Sequence, residues 1–560
     1  MKKILIIGGV ALGPKAAARA RRRDPSAKIT VVDRSDAFSY AGCGMPFYIE
    51  GEITDIDRLQ CTNFGVRRDE TYFKNVKNIK LVGRTEALKI NRTEKTVTVK
   101  DLSTGNTRDL PYDNLVLGVG ASPIIPLIEG IDLKGVFRLY SPKDAEAIRA
   151  KIDEGAEKVV IVGGGLIGME VCGAFVSRGC TVTVLEMMDR LVPALLDPDM
   201  SLILERYLLE RGVTLGLGSQ VTKIIGDGSG SVSAVKTANG VSYPTDLVLV
   251  AIGVRPNIKL AKEAGLAIGS TGAIAVDEFL RTSDPDIYAG GDCVENSDIV
   301  FDRKVYIPLG STANKHGRVI GDNVTSGKTR FQGVTGTAVF KFLDLNVGKT
   351  GLGEKEAKGL GFDVVVALAP KTDCSDYYPD NKLIIVKLIA DRESHRLLGC
   401  QIIGPGDAIK RIDVVATCLK FRAKIQDLAD LDLGYAPPYS TAIDAIAHAA
   451  NILRNKVEGL AHGISATELM RKIDKNEDFI LLDVRSRREV EVRPFRDRGV
   501  INIPIDELRH RLHELGRENE VLIFCQTGVR AYDAERLLRG AGFKDVKFLD
   551  GSLTAWPSPQ

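Results

Sequence analysis

The chain has 560 residues, 44% of them hydrophobic and 27% charged, with a formal net charge of +3. That length exceeds what one core supports and predicts three or four domains, while so small a net charge gives no bulk attraction to nucleic acid or membrane. No apolar run reaches the roughly 18 residues of a membrane span, and nine scattered cysteines form neither a disulfide framework nor a zinc pattern, so the expectation is a cytoplasmic protein with reduced thiols and no metal.

In chain order, MKKILIIGG begins like a signal peptide, but its apolar run stops at glycine after a few residues and reads as a strand. KKILIIGGVALGPKAAARARRR is that strand, a glycine turn and a helix; KITVVD is a second strand ending at Asp33. Gly8 and Gly13 permit a tight turn and close helix–strand packing, and the helix N-terminus can receive a pyrophosphate. Asp33 stands where a carboxylate binds a ribose hydroxyl. Val10 replaces the middle glycine of the usual G-x-G-x-x-G, which weakens the match. Residues 39–51, SYAGCGMPFYIEG, hold one cysteine, Cys43, and none follows until Cys61.

The glycine pattern returns complete at Gly163, Gly165 and Gly168, with Glu186 ending the next strand. Two such motifs, each with its acid, predict two nucleotide folds. Glu186 would repel a 2′-phosphate, and no arginine follows until Arg190, which favours NADH over NADPH. LVLGVGASP (115–123) and LVLVAIGVRPN (247–257) are buried-strand runs with glycine turns, as at domain crossovers. TSDPDIYAGGDCVE (282–295) is a turn, a short strand, two glycines and Asp292. After about residue 331 the pattern changes to strands such as KLIIVKLIAD and LLGCQIIG, then a helix, IKRIDVVATCLKFRA, and two tyrosine elements, SDYYPD and LGYAPPYS. NKVEGLAHGI (455–464) is a boundary. Beyond it, ISATELMRKI is an amphipathic helix, FILLDVRSRREVE a buried strand ending at Asp483, and GVINIPIDELRHRL a strand-like turn and helix. VLIFCQTGVRAYDAERLLRGAGF delivers Cys525 from a strand into a tight loop before a helix. There the sulfur faces backbone N–H groups and a positive helix end, the setting of a reactive thiolate; Arg530 adds a cation.

In this order the pieces resemble the two-dinucleotide-fold flavoprotein disulfide reductases over roughly residues 1–450. The remainder resembles a single rhodanese domain through DVR, NIP and C-x-x-G-x-R. The resemblance implies an α/β protein with two interleaved Rossmann-like domains, an α+β dimerisation domain and an α/β rhodanese domain. FAD would take residues 1–112 and 258–330, NADH 113–257, dimerisation 331–454 and rhodanese 462–560. It assigns FAD to Gly8, Gly9, Val10, Gly13, Asp33 and Arg34, with Asp292 on the ribityl chain. It assigns NADH to Gly163, Gly165, Gly168, Glu186 and Gly253, with Glu170 near the nicotinamide. The usual histidine before NIP is missing; Asp497 and Arg498 stand there.

A thiol beside a flavin has three uses in this superfamily. An internal disulfide needs a second cysteine, which is missing here. A stable sulfenic acid serves peroxide or oxygen reduction, in relatives that carry a histidine where this chain has Val10. A mixed disulfide with a small thiol is the third, and SYAGCGMPF resembles the cysteine loop of the coenzyme A-disulfide reductase and NADH-dependent persulfide or polysulfide reductase branch. Lys15, Arg19 and Arg22 share one helix face, a stripe that is equally compatible with simple solvation. The resemblance sets Arg19 and Arg22 at the coenzyme A phosphates and Ser39 and Gly42 beside the pantetheine arm, where many relatives have asparagine at Gly42. It also implies a homodimer in which Tyr377 and Tyr435 reach the partner's site as proton donors, a role suited to a phenol with a pKa of about 10; packing alone also explains Tyr435 before two prolines.

The expected catalytic residues are therefore Cys43, Cys525, Tyr377, Tyr435 and Arg530, and the expected cofactors FAD, NADH and coenzyme A. Electrons would pass from NADH through FAD to sulfur on Cys43, with Cys525 carrying sulfane sulfur. Two alternatives stay open: a coenzyme A-disulfide reductase whose rhodanese domain is incidental, and an electron-transfer flavoprotein with a rhodanese-like docking module. The other seven cysteines read as small apolar residues, with Cys374 the one to watch.

Overall fold

The computed structural model describes residues 1–495 and 499–557, so the expectation at Asp497 and Arg498 lies outside the described residues. Two compact units emerge: Met1–Met187 with Ser219–Val334, and Met188–Gly218 with Thr335–Gln560.

The first unit runs β1 (Lys3–Ile7), α1 (Leu12–Arg23), β2 (Lys28–Val32), α2 (Met45–Glu50), β3 (Lys80–Val82), β4 (Asn114–Leu117), β5 (Val136–Phe137), β6 (Lys158–Val162), α3 (Leu166–Ser177), β7 (Thr181–Leu185), β8 (Leu247–Val250), β9 (Ile287–Ala289) and α4 (Gly310–Asn323). The apolar runs that carry no helical period are the buried strands of two parallel sheets. One is ordered β9-β4-β1-β2-β3 and the other β7-β6-β8-β5. Each glycine turn thus lies at the carboxyl end of an interior strand of its sheet, β1 in one and β6 in the other, where doubly wound folds bind ligands. Residues 121–123 pair antiparallel with 254–256, so the chain crosses between the two folds on adjacent strands. Helix α1 packs on α4 across glycines: a Cβ at Gly321 would lie 2.6 Å from the Cβ of Arg19.

In the second unit, β10 (Ala338–Phe342), β11 (Leu345–Gly351), β12 (Val364–Thr372), β13 (Leu383–Asp391) and β14 (Leu397–Gly404) form an antiparallel sheet ordered β10-β11-β14-β13-β12. Helices α5 (Ile409–Lys420) and α6 (Ala445–Val457) pack on it. The C-terminal part has a parallel sheet of β15 (Gly463–Ile464), β16 (Ile480–Asp483), β17 (Val500–Asn502), β18 (Val521–Phe524) and β19 (Val546–Leu549), in the order β15-β19-β18-β16-β17. Its helices include α7 (Arg487–Val492) and α8 (Val529–Gly540). Apolar side chains cover both faces of this sheet.

Two local details differ from the sequence reading. First, Asn455–Val457, at the start of the expected boundary, complete α6, and Lys456 Nζ reaches both carboxylate oxygens of Asp550 at 2.7 Å. A flexible tether is not what joins the parts: a Cβ at Gly551 would lie 3.1 Å from Leu368 of β12, and Arg206 on helix Pro198–Leu209 donates to the carbonyls of Thr554 and Trp556. Second, DELRHRL forms two short 3-10 turns, Leu508–His510 and Leu512–Glu514, rather than one α-helix.

Candidate active site

The two glycine turns are built alike. A Cβ at Gly13 would meet the carbonyl oxygen of Gly8 at 1.8 Å, and one at Gly168 that of Gly163 at 2.2 Å, so each helix can approach its strand only with glycine there. The acid ending the second strand caps each turn. Asp33 accepts the Gly9 N–H at 2.6 Å and Glu186 the Gly164 N–H at 2.6 Å. Where the turns differ, the sequence already differed: nothing lies within 4 Å of a Cβ at Gly165, whereas Val10 carries a side chain at the matching position. That space at the N-terminus of α3 fits a pyrophosphate. Gly253 lies in the turn after β8, and Arg34 is exposed next to Asp33.

Asp292 sits in the 3-10 turn Gly291–Cys293 after β9. The turn is fixed by the Gly291 N–H donating to His316 Nδ1 at 3.1 Å and by the Tyr306 hydroxyl donating to the Asp292 carbonyl at 2.9 Å. Burial raises the Asp292 carboxyl above its ordinary value. A ribityl hydroxyl would satisfy it, so the residues present fit FAD at the first turn and a pyridine nucleotide at the second.

Cys43 occupies the 3-10 turn Gly42–Gly44 that leads into α2. Its surface is exposed, yet the surrounding protein raises the thiol above its ordinary value, and Glu170 and Asp292 push the same way. These causes bring Cys43, Glu170 and Asp292 into one electrostatic neighbourhood. Helix α2 rests on α3, with Ser177 donating to Glu50 at 2.6 Å, which sets Cys43 beside the helix that carries Glu170. Burial pushes the Glu170 carboxyl up to about 7. Backbone dipoles alone therefore do not depress the Cys43 thiol, as thiolate chemistry there would require; α2 has only six residues, and two acids face the sulfur.

Ser39 adopts the left-handed conformation (φ 51°) that side chains usually avoid. Its N–H donates to the Gly9 carbonyl at 2.9 Å and its carbonyl accepts from Arg68 at 3.0 Å, tying the cysteine loop to the first glycine turn. A Cβ at Gly42 would meet only Tyr40 and Met45 at 3.8 and 3.9 Å. On α1, Lys15 and Arg22 are exposed, while Arg19 Nε pairs with Asp322 at 2.5 Å.

In the second unit the two tyrosine elements meet. The Ser375 N–H donates to the Pro437 carbonyl at 3.2 Å, leaving Tyr377 and Tyr435 both exposed. Arg411, fully buried, holds the junction: it donates to the Asp373 carbonyl at 2.7 Å and to both oxygens of Asp444 at 2.8 to 3.2 Å. Burial would raise the Asp444 carboxyl, but the Arg411 hydrogen bonds and charge bring it below its ordinary value. Cys374 is buried, its thiol raised by its surroundings and by Asp373. Cys525 lies at the end of β18, buried, with the Gly528 N–H donating to its sulfur at 3.1 Å. Arg530 forms a two-pronged pair with Glu489 at 2.6 and 2.7 Å.

Residues 2–317 match the pyridine nucleotide-disulphide oxidoreductase family, 337–447 its dimerisation domain and 465–558 the rhodanese-like domain. The chain belongs to the pyridine nucleotide-disulphide oxidoreductase family. As a member it is an FAD- and pyridine nucleotide-dependent oxidoreductase. It is 38% identical over 454 residues, 81% of this chain and 98% of the other, to a Pyrococcus horikoshii protein named NAD(P)H coenzyme A polysulfide/persulfide reductase. Its structure is similar to that of a NAD-dependent persulfide reductase from A. fulgidus, with a TM-score of 0.94, 44% identity and coverage of 99% of this chain and 100% of that one. It is also similar to reduced CoADR-RHD from Bacillus anthracis, with a TM-score of 0.92, 36% identity and coverage of 99% and 97%.

Several residues that shape these family sites escaped the sequence reading. Glu489, His316, Arg411 and Ser552 lie far along the chain from the groups they hold. Only Glu489 had a local signal, as the acid of the capping box that opens α7 with Ser486.

Proposed function

We propose that the chain is an NADH-dependent flavoprotein that reduces coenzyme A persulfide or polysulfide, or coenzyme A disulfide, through Cys43 alone, with Cys525 handling sulfane sulfur. The observation that carries this reading is that Cys43 is a free thiol with no second cysteine in its loop. A resolving thiol must then arrive as a small molecule. The names of the Pyrococcus horikoshii and A. fulgidus proteins support a sulfur substrate, and the rhodanese-like domain in the same chain supports sulfane sulfur as the common currency.

FAD, when bound, supplies the two-electron relay between the nicotinamide and sulfur. The rest falls to the chain. The Cys43 thiolate attacks one sulfur of the substrate's S–S bond, that bond breaks, the departing hydrosulfide or thiolate takes its electron pair, and the other half stays on Cys43 as a mixed disulfide or persulfide. Lys15, Arg19 and Arg22 bind the nucleotide phosphates, Arg19 exchanging its bond to Asp322 for one to phosphate, while Ser39 and Gly42 border the pantetheine arm. Glu186 accepts hydrogen bonds from an NADH ribose and opposes the 2′-phosphate of NADPH. The dimerisation-domain match supports a homodimer in which the partner's Tyr377 and Tyr435 protonate the departing thiolate; their exposure supports this. The reading sits with a cytoplasmic, reduced-thiol setting, and no helix among the described residues is long and apolar enough to cross a membrane.

Mass spectrometry of ligands released from the purified protein tests the substrate class. FAD together with coenzyme A is expected; FAD alone would remove the coenzyme A assignment. Steady-state turnover with both nucleotides tests Glu186, and equal kcat/KM for NADH and NADPH would reject its role. Mixing Cys43→Ser and Tyr435→Phe chains tests the shared site, since hybrid dimers should recover activity that neither parent has.

A further inference from the structure

We propose that Arg149 is a positioning residue that holds Cys43 in place from the far end of α2. This rests on the reading of Cys43 as the reacting thiol. Helix α2 has six residues, too few to be stable by itself, and Cys43 stands in the turn that opens it. So short a rod, about 9 Å long, carries the sulfur wherever its other end is held. That end also leaves carbonyls without partners inside the helix. Arg149, on helix Pro142–Asp153, meets them. Its Nη1 donates to the Tyr48 carbonyl at 3.1 Å and reaches the carbonyls of Ile53 and Thr54 at 3.3 and 3.4 Å. The guanidinium also covers the Tyr48 ring, 4.6 Å from its centroid.

Arginine suits this grip. A cation at a helix C-terminus faces the negative end of its dipole, and a planar guanidinium stacks on an aromatic face while it donates. Helix α3 holds the same end of α2: the Ser177 hydroxyl donates to Glu50 at 2.6 Å, and Arg178 pairs with Asp153. Asp153 also lies 3.9 Å from Arg149 Nε, so one carboxylate stands between the two arginines. At the other end, a Cβ at Gly44 would collide with Leu59, which seats the Cys43 turn against a side chain. Helix α3 carries Glu170. Holding α2 against α3 therefore also sets how closely that carboxyl faces the sulfur.

The consequence is a split between two reactions of one protein. Reduction of a sulfur substrate needs the Cys43 sulfur in one place, aligned with the S–S bond it attacks, and small displacements there are costly. Reduction of a dye by NADH draws electrons from FAD and needs no thiol. Arg149 donates to backbone carbonyls and stacks on Tyr48, away from the sulfur itself. Loosening its grip should therefore slow the first reaction and spare the second.

Arg149→Met keeps an apolar stem over Tyr48 and removes the donors and the charge. In the full-length FAD-loaded protein it should lower kcat with coenzyme A persulfide about tenfold, while NADH reduces ferricyanide at the wild-type rate with an unchanged KM. Alkylation of Cys43 by iodoacetamide, read by peptide mass spectrometry, should speed severalfold, because the sulfur leaves surroundings that raise its thiol. Arg149→Lys keeps a cation at the helix end without the stacked plane and should recover part of the kcat. Equal loss of both NADH-linked rates overturns the role of Arg149 alone, as do wild-type kcat and alkylation in Arg149→Met, or a lysine variant no better than methionine. A wild-type protein without turnover of coenzyme A persulfide, or a Cys43→Ser protein that keeps it, overturns the reading of Cys43, and this inference with it.

Discussion

The two cysteines of the proposed function sit in opposite circumstances. Cys525 is buried at the end of a strand before a twelve-residue helix, and its own domain supplies a backbone N–H and a serine hydroxyl to the sulfur. Cys43 is exposed before a six-residue helix, and the groups facing it are acids that oppose its ionisation. A charge taken out of water needs donors or opposite charge nearby. Cys525 has such donors within its fold, whereas under the proposed function Cys43 depends on what joins it, a bound cofactor and a second subunit. The first site is self-contained; the second is an assembly.

Removing each sulfur gives the largest test of that contrast. Cys43→Ser should abolish NADH oxidation with every sulfur substrate. Cys525→Ser should eliminate sulfur transfer from thiosulfate to an acceptor thiol while NADH-linked reduction of coenzyme A persulfide continues. Loss of all NADH-linked turnover in Cys525→Ser would mean that the two sites are obligatorily coupled, and the contrast would fail.

The assembled site should also be the one broken from a distance. Arg411 joins the loops bearing Tyr377 and Tyr435 without touching substrate. Arg411→Met leaves Asp444 buried without its cation and should cost about 3–5 kcal/mol of stability, measured by denaturant unfolding, with turnover falling in parallel. Pairing it with Asp444→Leu should recover most of the stability, because an apolar pair of similar volume often replaces a buried ion pair without loss. An Arg411→Met protein as stable as wild type would show that the junction does not depend on the pair.

The same contrast explains what the sequence could reveal. Both glycine turns, their acids and the strand-to-loop setting of Cys525 are local patterns a few residues long, legible because backbone geometry dictates residue type at fixed spacing. The helical end of the boundary, Asn455–Val457, was silent because its polar residues belong to a helix whose Lys456 is drawn to Asp550, a partner 94 residues away. Ser552 and Arg411 were silent for that reason too: serine and arginine are ordinary surface residues until a fold buries them. The raised Cys43 thiol required knowing that Glu170, on another helix, faces it.

Glu170 offers a smaller test with a definite sign. Its carboxyl is raised to about 7 by burial, so it is neutral below that pH and ionised above it. A raised acid contributes stability that is fully present below its unfolded value, ordinarily about 4.3, and lost as pH rises through about 7. Glu170→Gln should flatten that decline. It should also speed alkylation of Cys43, severalfold at pH 8 and little at pH 6, where the glutamate is already mostly neutral. Equal acceleration at both pH values would mean that packing, not charge, links the two residues. Cys525 alkylation should not respond.

The smallest expected effect concerns Gly42. Its backbone lies outside the left-handed region, and a Cβ there would meet only Tyr40 and Met45 at ordinary contact distances. Asparagine therefore fits without displacing the loop, and its amide can donate to a ligand beside Cys43. One added hydrogen bond is worth about 1 kcal/mol, or roughly fivefold in affinity. Gly42→Asn should lower the Kd for coenzyme A by about that factor in calorimetric titrations, with Tm unchanged. Tighter retention should slow release of the bound thiol, so kcat should fall as affinity rises if departure of coenzyme A limits turnover. An unchanged Kd would mean that position 42 does not border the pantetheine arm. The self-contained site gives the control: sulfur loading of Cys525 involves no residue of this loop and should proceed at the wild-type rate.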